Sequence, residues 1–386
     1  MSLHARSSLQ QLAGALLGCQ SRLPLLAQSC SFSSSGAPKQ SAAIIKQLRE
    51  RSGAPIADVK NMLVEHDWDM EKAYEALRKK GLAAAAKKAS RHAAEGLVGA
   101  SFAASGAASS STGGSGSVVV VELNSETDFV ARNSMFQDLL RDVMGAAHSL
   151  GPAAAVGPDY QMNLEQLLSA RTSSGASVSE AVTNLAAQVR ENIRLRRAYR
   201  VDSGADGLVF PYVHQAAAPG LGKLASVVVL QPGAAGGAQL GQALESSSAS
   251  SQQLQSLGEG LAMHVAGMRP LYLNRAGVPA DVMARERDLL GQQLQQDETF
   301  KGKPEKVINK VVEGRLGKVL GDWCLSEQRY VLDDSVSVEQ LLARLRKEAG
   351  LSVRVGNFLR VQCGEGLGAK EGGDFAAEVA RIVNDA

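Results

Sequence analysis

Phe129 is the residue whose type and setting most strongly suggest a chemical task. The ring follows the run Val118–Val121 and stands between Asp128 and Arg132. Four consecutive valines predict a buried strand, and a helical pattern begins near Ser134, so Phe129 occupies a strand-to-helix corner. A ring at such a corner either folds back under the sheet or projects as an apolar wedge toward a partner protein.

Residues for covalent, acid–base or metal chemistry do not form recognisable patterns. The chain has no GxxxxGKS/T phosphate loop and no GxSxG elbow, and its histidines show no HExxH spacing. Gly364–Gly368 lacks GxGxxG spacing, which favours a turn, and Cys324 and Cys363 are too far apart for a CxxC unit. We therefore expect no catalytic residues, no metal, no cofactor and no direct nucleotide binding, and the chain is predicted to act by binding rather than as an enzyme.

Composition and charge narrow the range of partners. The 386 residues include 41 lysines and arginines against 39 aspartates and glutamates, and only 4% are aromatic. Such a balance creates no strong field for nucleic acid, so we expect no DNA partner. The apolar stretch Leu12–Leu17 is too short to cross a bilayer, and we expect no membrane partner.

The first 38 residues have the composition of a targeting segment. They contain many serines together with Arg6 and Arg22, whereas the first acidic residue of the chain is Glu50. An acid-free, serine-rich start that carries arginines is typical of an organellar transit peptide, and we predict removal of residues 1–38. A merely disordered tail is the alternative interpretation.

Residues 39–81 are predicted to form a three-helix module. Ser41 is a candidate cap for the first helix, Asp67 or Asp69 for the third, and Gly81 is the expected terminator. Three short helices with so small a core resemble the ubiquitin-associated (UBA) fold. Such folds are binding modules, so the sequence favours a partner surface here, with a purely structural cap as the alternative.

An internal repeat follows a predicted helical connector at 82–94. Glu95–Val98 and Asp206–Val209 share the pattern acid-Gly-Leu-Val, and each precedes a second, valine-rich strand and then helical sequence. We therefore predict an α+β protein with two related α+β subdomains, 95–202 and 203–386, each a small antiparallel sheet with helices on one face.

The second subdomain contains two further predicted helical features. Apolar spacing over 280–320 indicates an antiparallel helical hairpin, which either packs on its own body or mediates a homodimer. Residues 374–384 are predicted to form a C-terminal helix.

Several spaced motifs together resemble the elongation factor Ts family, the nucleotide exchange factors of elongation factor Tu. The resemblance covers nearly the whole chain after residue 38, in the family's order. It is carried by Ile45–Gly53, Thr127–Ala131, Glu191–Arg194, Ala262–Ala266, Val312–Arg315, Gly364–Gly366 and Asp374–Val379. With the leader, it implies an organellar member in the mitochondrial matrix; a chloroplast is the alternative location.

The resemblance also implies a mechanism and a partner, elongation factor Tu in its GDP-bound and nucleotide-free forms. In the family, the loop around Asp128 pushes between helices of the partner's GTPase domain and disturbs its Mg²⁺ and phosphate sites. A second intruding position is implied for His214. The first module would grip the partner, although Ile56-Ala57 stands where bacterial relatives often carry two methionines. The implied partner-binding residues are Thr127, Asp128, Phe129, Val130, His214, Ile56 and Ala57.

Two other functions compete with exchange. The UBA-like fold also suits a ubiquitin-binding adaptor, which a ubiquitin pull-down would reveal, but an adaptor leaves the duplicated core unexplained. An RNA-binding translation protein is the other alternative, and the near-neutral charge and few aromatics count against it. Salt-sensitive retention on RNA would favour it.

Overall fold

The computed structural model describes residues 38–105, 113–154, 159–204, 206–233, 240–245, 249–300 and 303–368. The chain divides into two compact units, residues 1–44 and 45–386. Of the first unit, only the beginning of a helix, from Pro38, is described. The predicted transit peptide, except for Pro38, and the predicted C-terminal helix lie outside the described residues.

Helices and small antiparallel sheets make up the described part of the chain, which confirms the predicted α+β class. The strands are β1 (Glu95–Ala104), β2 (Gly116–Ser125), β3 (Arg194–Asp202), β4 (Leu208–His214), β5 (Leu221–Gly222), β6 (Leu224–Pro232), β7 (Arg329–Tyr330), β8 (Asp333–Ser337) and β9 (Val353–Gln362). The helices are α1 (Pro38–Ser52), α2 (Ile56–Glu65), α3 (Met70–Lys88), α4 (Asp128–Ala131), α5 (Ser134–Ser149), α6 (Leu164–Ser169), α7 (Val178–Val189), α8 (Leu240–Glu245), α9 (Ala249–Met268), α10 (Ala280–Gln296), α11 (Glu305–Trp323) and α12 (Val338–Ala349). None of the helices described has both the length and the apolarity to cross a membrane.

Of the helix caps predicted near the N-terminus, the structure confirms one and contradicts another. The Asp69 carboxylate accepts the backbone N–H groups of Glu71 and Lys72 and so caps α3, as predicted. The prediction for Ser41 is wrong, because α1 begins at Pro38 and Ser41 lies inside the helix. The likeness of these helices to a UBA fold stays a prediction.

Gly81 is also not the helix terminator that the sequence suggested. Helix α3 continues through it to Lys88, so most of the predicted connector at 82–94 is the end of α3. A Cβ at Gly81 would lie 2.9 Å from the Cβ of Ala187 in α7. The glycine is therefore explained by the close approach of α3 and α7, a contact that sequence spacing does not reveal.

The two predicted hairpins are present, and each belongs to a different sheet. The first sheet has the order β3-β2-β1-β5 and the second the order β4-β6-β9, with antiparallel pairing throughout. Strands β7 and β8 form a separate small hairpin. Pro211 lies in β4, at an edge of the second sheet, where the lack of a proline N–H is tolerated.

The valine run of β2 explains how the layers are stacked. Val119 and Val121 belong to a core that includes residues of α5 and α7. Val118 and Val120 belong to a second core shared with valines of β4 and β6 in the other sheet. Because side chains alternate along a strand, a continuous apolar run fits a strand that is buried on both faces. Each sheet thus has helices on one face, as predicted, and the other sheet on its opposite face; on the outer side of the second sheet, α9 and α12 close a further core.

The helical pattern at 280–320 corresponds to α10 and α11, which pack against each other through a core of their own. Leu290 and Leu294 of α10 meet Val312 and Leu316 of α11 in this core. Leu289 and Val307 are exposed on the pair. The predicted homodimer through this hairpin remains a prediction.

A buried carboxylate joins the end of β9 to the first sheet. Glu122 of β2 has no exposed surface and accepts hydrogen bonds from Arg196 Nη1 at 2.9 Å, Arg197 Nε at 2.5 Å and the backbone N–H of Gly364 at 2.8 Å. Gly364 has a φ of +76°, and a Cβ there would lie 2.5 Å from the carbonyl oxygen of Ala94. The backbone conformation at Gly364 therefore requires glycine. Its N–H donates to the Glu122 carboxylate and helps to stabilise a charge that would otherwise be costly to bury.

Candidate functional site

Phe129 lies on a single helical turn between the first sheet and α5. Helix α4 has four residues, and its Ala131 is buried whereas the Phe129 side chain is 78% exposed. Val130 packs partly against the core beneath. The backbone is thus anchored on one side of the turn while the ring projects from the other, which decides between the two positions that the sequence left open.

Local contacts give this turn, defined as residues 127–131 and called the Phe129 turn, a fixed shape. Arg132 Nη2 donates to Asp128 Oδ2 at 2.8 Å, and the Arg132 N–H donates to the carbonyl oxygen of Asp128 at 3.2 Å. The Asn133 side chain then caps α5 through the N–H of Met135 at 2.9 Å. The ion pair is exposed, so its effect is mainly on the geometry of the turn and little on overall stability.

Thr127, the first residue of the turn, is held from outside it. Its own side chain does not cap α4. Instead its N–H donates to Glu191 Oε2 at 2.9 Å and its hydroxyl donates to Glu191 Oε1 at 2.6 Å. Glu191 follows α7 and belongs to the motif Glu191–Arg194, but nothing in the sequence indicates a contact with Thr127. Its carboxylate thus holds the N-cap residue of α4 from a distant part of the chain.

His214 lies at the end of β4 and is exposed. The Tyr212 hydroxyl is 3.1 Å from His214 Nδ1, and the two rings are 6.1 Å apart. The following residue, Gln215, adopts a left-handed φ of 51°, which turns the chain sharply back toward β5. His214 is therefore exposed at a tight corner of the chain, and its contact with a partner stays a prediction.

The Phe129 turn and the corner after His214 border the same cavity. A cavity of about 420 Å³ is lined by Asp128, Ala131 and Arg132 from one side and by Gln215 and Ala217 from the other. The remaining lining residues are Glu95, Leu97 and Lys223, and an ion pair of 2.7 Å joins Lys223 to Glu95. The structure thus brings together two segments that are more than eighty positions apart in the sequence.

Ile56 and Ala57 stand apart from that cavity. Both are exposed at the start of α2, where Ile56 is 52% exposed. Val64 and Trp68, which the sequence analysis did not single out, are also exposed apolar side chains in or just after α2. Trp68, an aromatic residue between Asp67 and Asp69, was the available signal for an apolar surface here.

Other groups with chemical potential have structural partners. His264 is fully buried, lies 2.9 Å by Nε2 from Gln328 Oε1, and accepts the N–H of Val331 at Nδ1. Burial lowers the pKa of His264, only partly offset by Gln328, which keeps the ring neutral. Burial likewise raises the pKa of the Cys363 thiol to about 12. Within the described residues, no group of three or more His, Cys, Asp or Glu side chains is placed to hold a metal ion.

Comparisons with known proteins agree with the motifs. The sequence model of the family described as "Elongation factor TS" matches residues 126–365. The chain is 60% identical to the Chlamydomonas reinhardtii protein named "Elongation factor Ts, mitochondrial" over 398 aligned positions that cover 100% of both chains. It is 41% identical to a protein of that name from Oryza sativa subsp. japonica, over 87% of this chain and 86% of the relative.

A bacterial relative extends the match. The protein named "Elongation factor Ts" from Paramagnetospirillum magneticum is 42% identical over 88% of this chain and 96% of its own length. The family match includes both the Phe129 turn and Glu191, which holds it. This chain therefore belongs to the elongation factor Ts family, which confirms the resemblance found in the sequence.

Proposed function

We propose that this protein is the guanine nucleotide exchange factor of elongation factor Tu in mitochondrial translation elongation. Membership of the elongation factor Ts family and the word "mitochondrial" in the names of several relatives support this function and location. The observation that carries the proposal is the Phe129 ring, which is 78% exposed on a turn whose backbone is anchored. An aromatic ring that is exposed on a turn with an anchored backbone is available for contact with a partner protein.

Phe129 acts as a wedge between helices of the partner's GTPase domain. Full burial of a phenylalanine side chain is favourable by about 1.5–3 kcal/mol. This energy is gained only when the partner's helices have moved apart, so it stabilises the open, nucleotide-free state of elongation factor Tu. By thermodynamic linkage, GDP and the exchange factor then weaken each other's binding by the same factor.

The residues beside Phe129 orient the wedge. Asp128 approaches the partner's Mg²⁺ site, and its ion pair with Arg132 fixes the shape of the turn. Thr127 and Val130 hold the turn to the body of the protein, through Glu191 and through the core, respectively. Loss of Mg²⁺ coordination loosens GDP because the cation neutralises its phosphates.

Two further contacts complete the interface. His214 enters beside the wedge, because its corner and the Phe129 turn border the same cavity. Ile56 and Ala57 bind the GTPase domain from α2, with the exposed Val64 and Trp68 as additional apolar surface. The protein performs no bond-making or bond-breaking step in this scheme; it shifts a binding equilibrium of its partner.

Release of labelled GDP from mitochondrial elongation factor Tu tests the proposal. The chain without residues 1–38 should accelerate release at substoichiometric concentration, since it dissociates again when a new nucleotide binds. Unchanged release over a range of concentrations that saturates binding would contradict the exchange function. Sequencing the N-terminus of the protein from mitochondria tests the location separately, and a mature protein that begins at Met1 or Ser2 would argue against import.

A further inference from the structure

Three consecutive residues, Arg190 to Asn192, contact both surfaces to which partner binding is assigned. This junction segment follows α7, which ends at Arg190 with a left-handed φ of 61°. The left-handed residue reverses the chain immediately after the helix. The residues of the segment make polar contacts with the N-terminal helices on one side and with Glu126 and Thr127 on the other.

Arg190 contacts the N-terminal helices. Its guanidinium pairs with Asp58 of α2, the residue that directly follows Ile56-Ala57. Lys88 Nζ, at the end of α3, donates to the carbonyl oxygen of Arg190 at 2.6 Å. Lys80 of α3 also donates to Asp58 at 2.9 Å, and this bond, with a further contribution from Arg190, lowers the pKa of Asp58 so that it stays charged at neutral pH.

Asn192 connects the end of α3 to the approach of the Phe129 turn. The side chain is buried, and its Nδ2 donates to the carbonyl oxygens of Ala89 at 3.1 Å and Arg91 at 2.7 Å. Its backbone N–H donates to Glu126 Oε1 at 2.7 Å. Glu126 immediately precedes Thr127, which Glu191 holds by two hydrogen bonds.

We infer that the junction segment positions the Phe129 turn relative to the N-terminal helices, so that the contacts of Phe129 and of Ile56-Ala57 with the partner form as one unit. The inference rests on the proposed exchange function and assigns Glu191 and Asn192 as positioning residues within it. Neither residue needs to touch the partner to act in this way.

The physical need for such positioning follows from the size of α4. A helix of four residues is not stable by itself in water, because fixing the backbone of the first turn costs more free energy than its hydrogen bond contributes. The Glu191 carboxylate accepts the N–H of the N-cap residue Thr127 and, being negative at the helix N-terminus, interacts favourably with the helix dipole. A turn fixed before binding loses less conformational entropy when the partner closes on it. Rigid placement relative to α2 also raises the effective concentration of the second contact once the first has formed.

Glu191→Ala tests the first half of the inference. The variant should lower the maximal rate of GDP release about tenfold, which is what the loss of hydrogen bonds to a charged acceptor predicts. Glu191→Gln keeps an acceptor oxygen for the Thr127 N–H and should recover part of the rate. Ser177→Ala is the matched control, because it removes the capping box at the other end of α7 without touching the turn. The control should leave the maximal rate per folded molecule unchanged.

Asn192→Ala tests the second half. The variant loses the side-chain hydrogen bonds to Ala89 and Arg91 but keeps the hydrogen bond from the backbone N–H to Glu126. The Phe129 turn therefore keeps its shape, while its connection to the end of α3 is lost. The half-saturating concentration should rise several-fold, and the maximal rate should change less than in Glu191→Ala. If Ser177→Ala lowered the maximal rate and raised the half-saturating concentration as much as the junction variants do, the segment would only support folding, and the inference would be overturned.

Amide hydrogen exchange of the free protein separates this inference from the proposed function. Glu191→Ala should accelerate exchange of the amides of Thr127, Arg132 and Asn133 by at least tenfold and leave α5 unchanged, whereas Asn192→Ala should accelerate exchange at 89–91 and at these three amides together. If the variants lose this protection as expected but the wild-type protein does not accelerate GDP release from elongation factor Tu, the exchange function is wrong and the positioning role stands. If the wild-type protein accelerates GDP release and the variants keep the protection, the positioning role is wrong.

Discussion

Phe129 and Phe136 lie seven residues apart, on the two sides of Asn133, and have opposite environments. Phe129 is 78% exposed on α4, whereas Phe136 is completely buried against the first sheet on α5. Both follow the same strand, and both occur in helical sequence. Hydrophobicity alone therefore does not distinguish a residue that builds the fold from one that is available to a partner. The distinction comes from which side of each helix is anchored, and the following experiments test it.

Phe136→Ala should cause the largest loss of stability. Removing a fully buried phenylalanine leaves a cavity and typically lowers the free energy of unfolding by about 3–5 kcal/mol. Urea denaturation of the variant and the wild-type protein gives this difference. GDP release per folded molecule should stay close to normal, and a loss below about 1 kcal/mol would show that this part of the core adapts.

Phe129→Ala should give the opposite result. The free energy of unfolding should change by less than about 0.5 kcal/mol, because the ring has few neighbours in the free protein. Most of the stimulated GDP release should be lost, because the wedge is absent. Thermal melting and GDP release at fixed partner concentration measure the two effects. Leu289→Ala, another exposed apolar residue, should change neither, and a sharply lower melting temperature for Phe129→Ala with normal release would refute the wedge.

His264 and His214 extend the comparison to histidines. His264 is fully buried and its pKa lies below the ordinary value of 6.5, because burial disfavours the charged ring. The unfolded chain therefore binds more protons below about pH 6.5, and stability should fall as the pH drops below that value. His148, whose pKa burial also lowers, contributes in the same direction. Denaturation at several pH values should show a shallower dependence for His264→Gln than for wild type; identical slopes would mean that His264 does not contribute.

His214→Ala should have the smallest effect. The ring is exposed, and the hydrogen-bond partner that the described part of the chain gives it is the Tyr212 hydroxyl, so stability should not change. If it enters the partner beside the wedge, GDP release should fall about threefold, equivalent to less than 1 kcal/mol. His92→Ala, another exposed histidine, serves as the control. Full activity of His214→Ala would indicate an ordinary surface histidine.

Much of the architecture was predictable from sequence because its signals are local. The repeated acid-Gly-Leu-Val segments marked the starts of two hairpins, and the run Val118–Val121 indicated a buried strand. Asp69 was one of two candidate caps, with Asp67, because the groups that a cap binds lie within three residues of it. Helical periodicity similarly located the hairpin of α10 and α11.

The features that sequence could not supply depend on distant contacts. Gly81 was misread as a helix end because its reason, the side chain of Ala187, belongs to another helix. Glu191 lies 64 positions from Thr127, so its hold on that residue has no local signature. The exposure of Phe129 was equally undetermined, since the sequence is compatible with a ring on either side of the turn.

Glu122 also sets the order in which this protein can finish folding. The chain leaves the ribosome from its N-terminus, and β1 to β3 can pair as soon as residue 202 has emerged. The amide of Gly364 that binds the Glu122 carboxylate is synthesised 242 residues after it. Until then the Glu122 carboxylate lacks one of its donors, whereas the β2 valines that face the second sheet lack cover only until β4 and β6 have emerged. An emerging chain of this protein is consequently open to misassociation after the first sheet has paired and before the second sheet covers it, so a chaperone that shields the first sheet should raise its yield most in that interval.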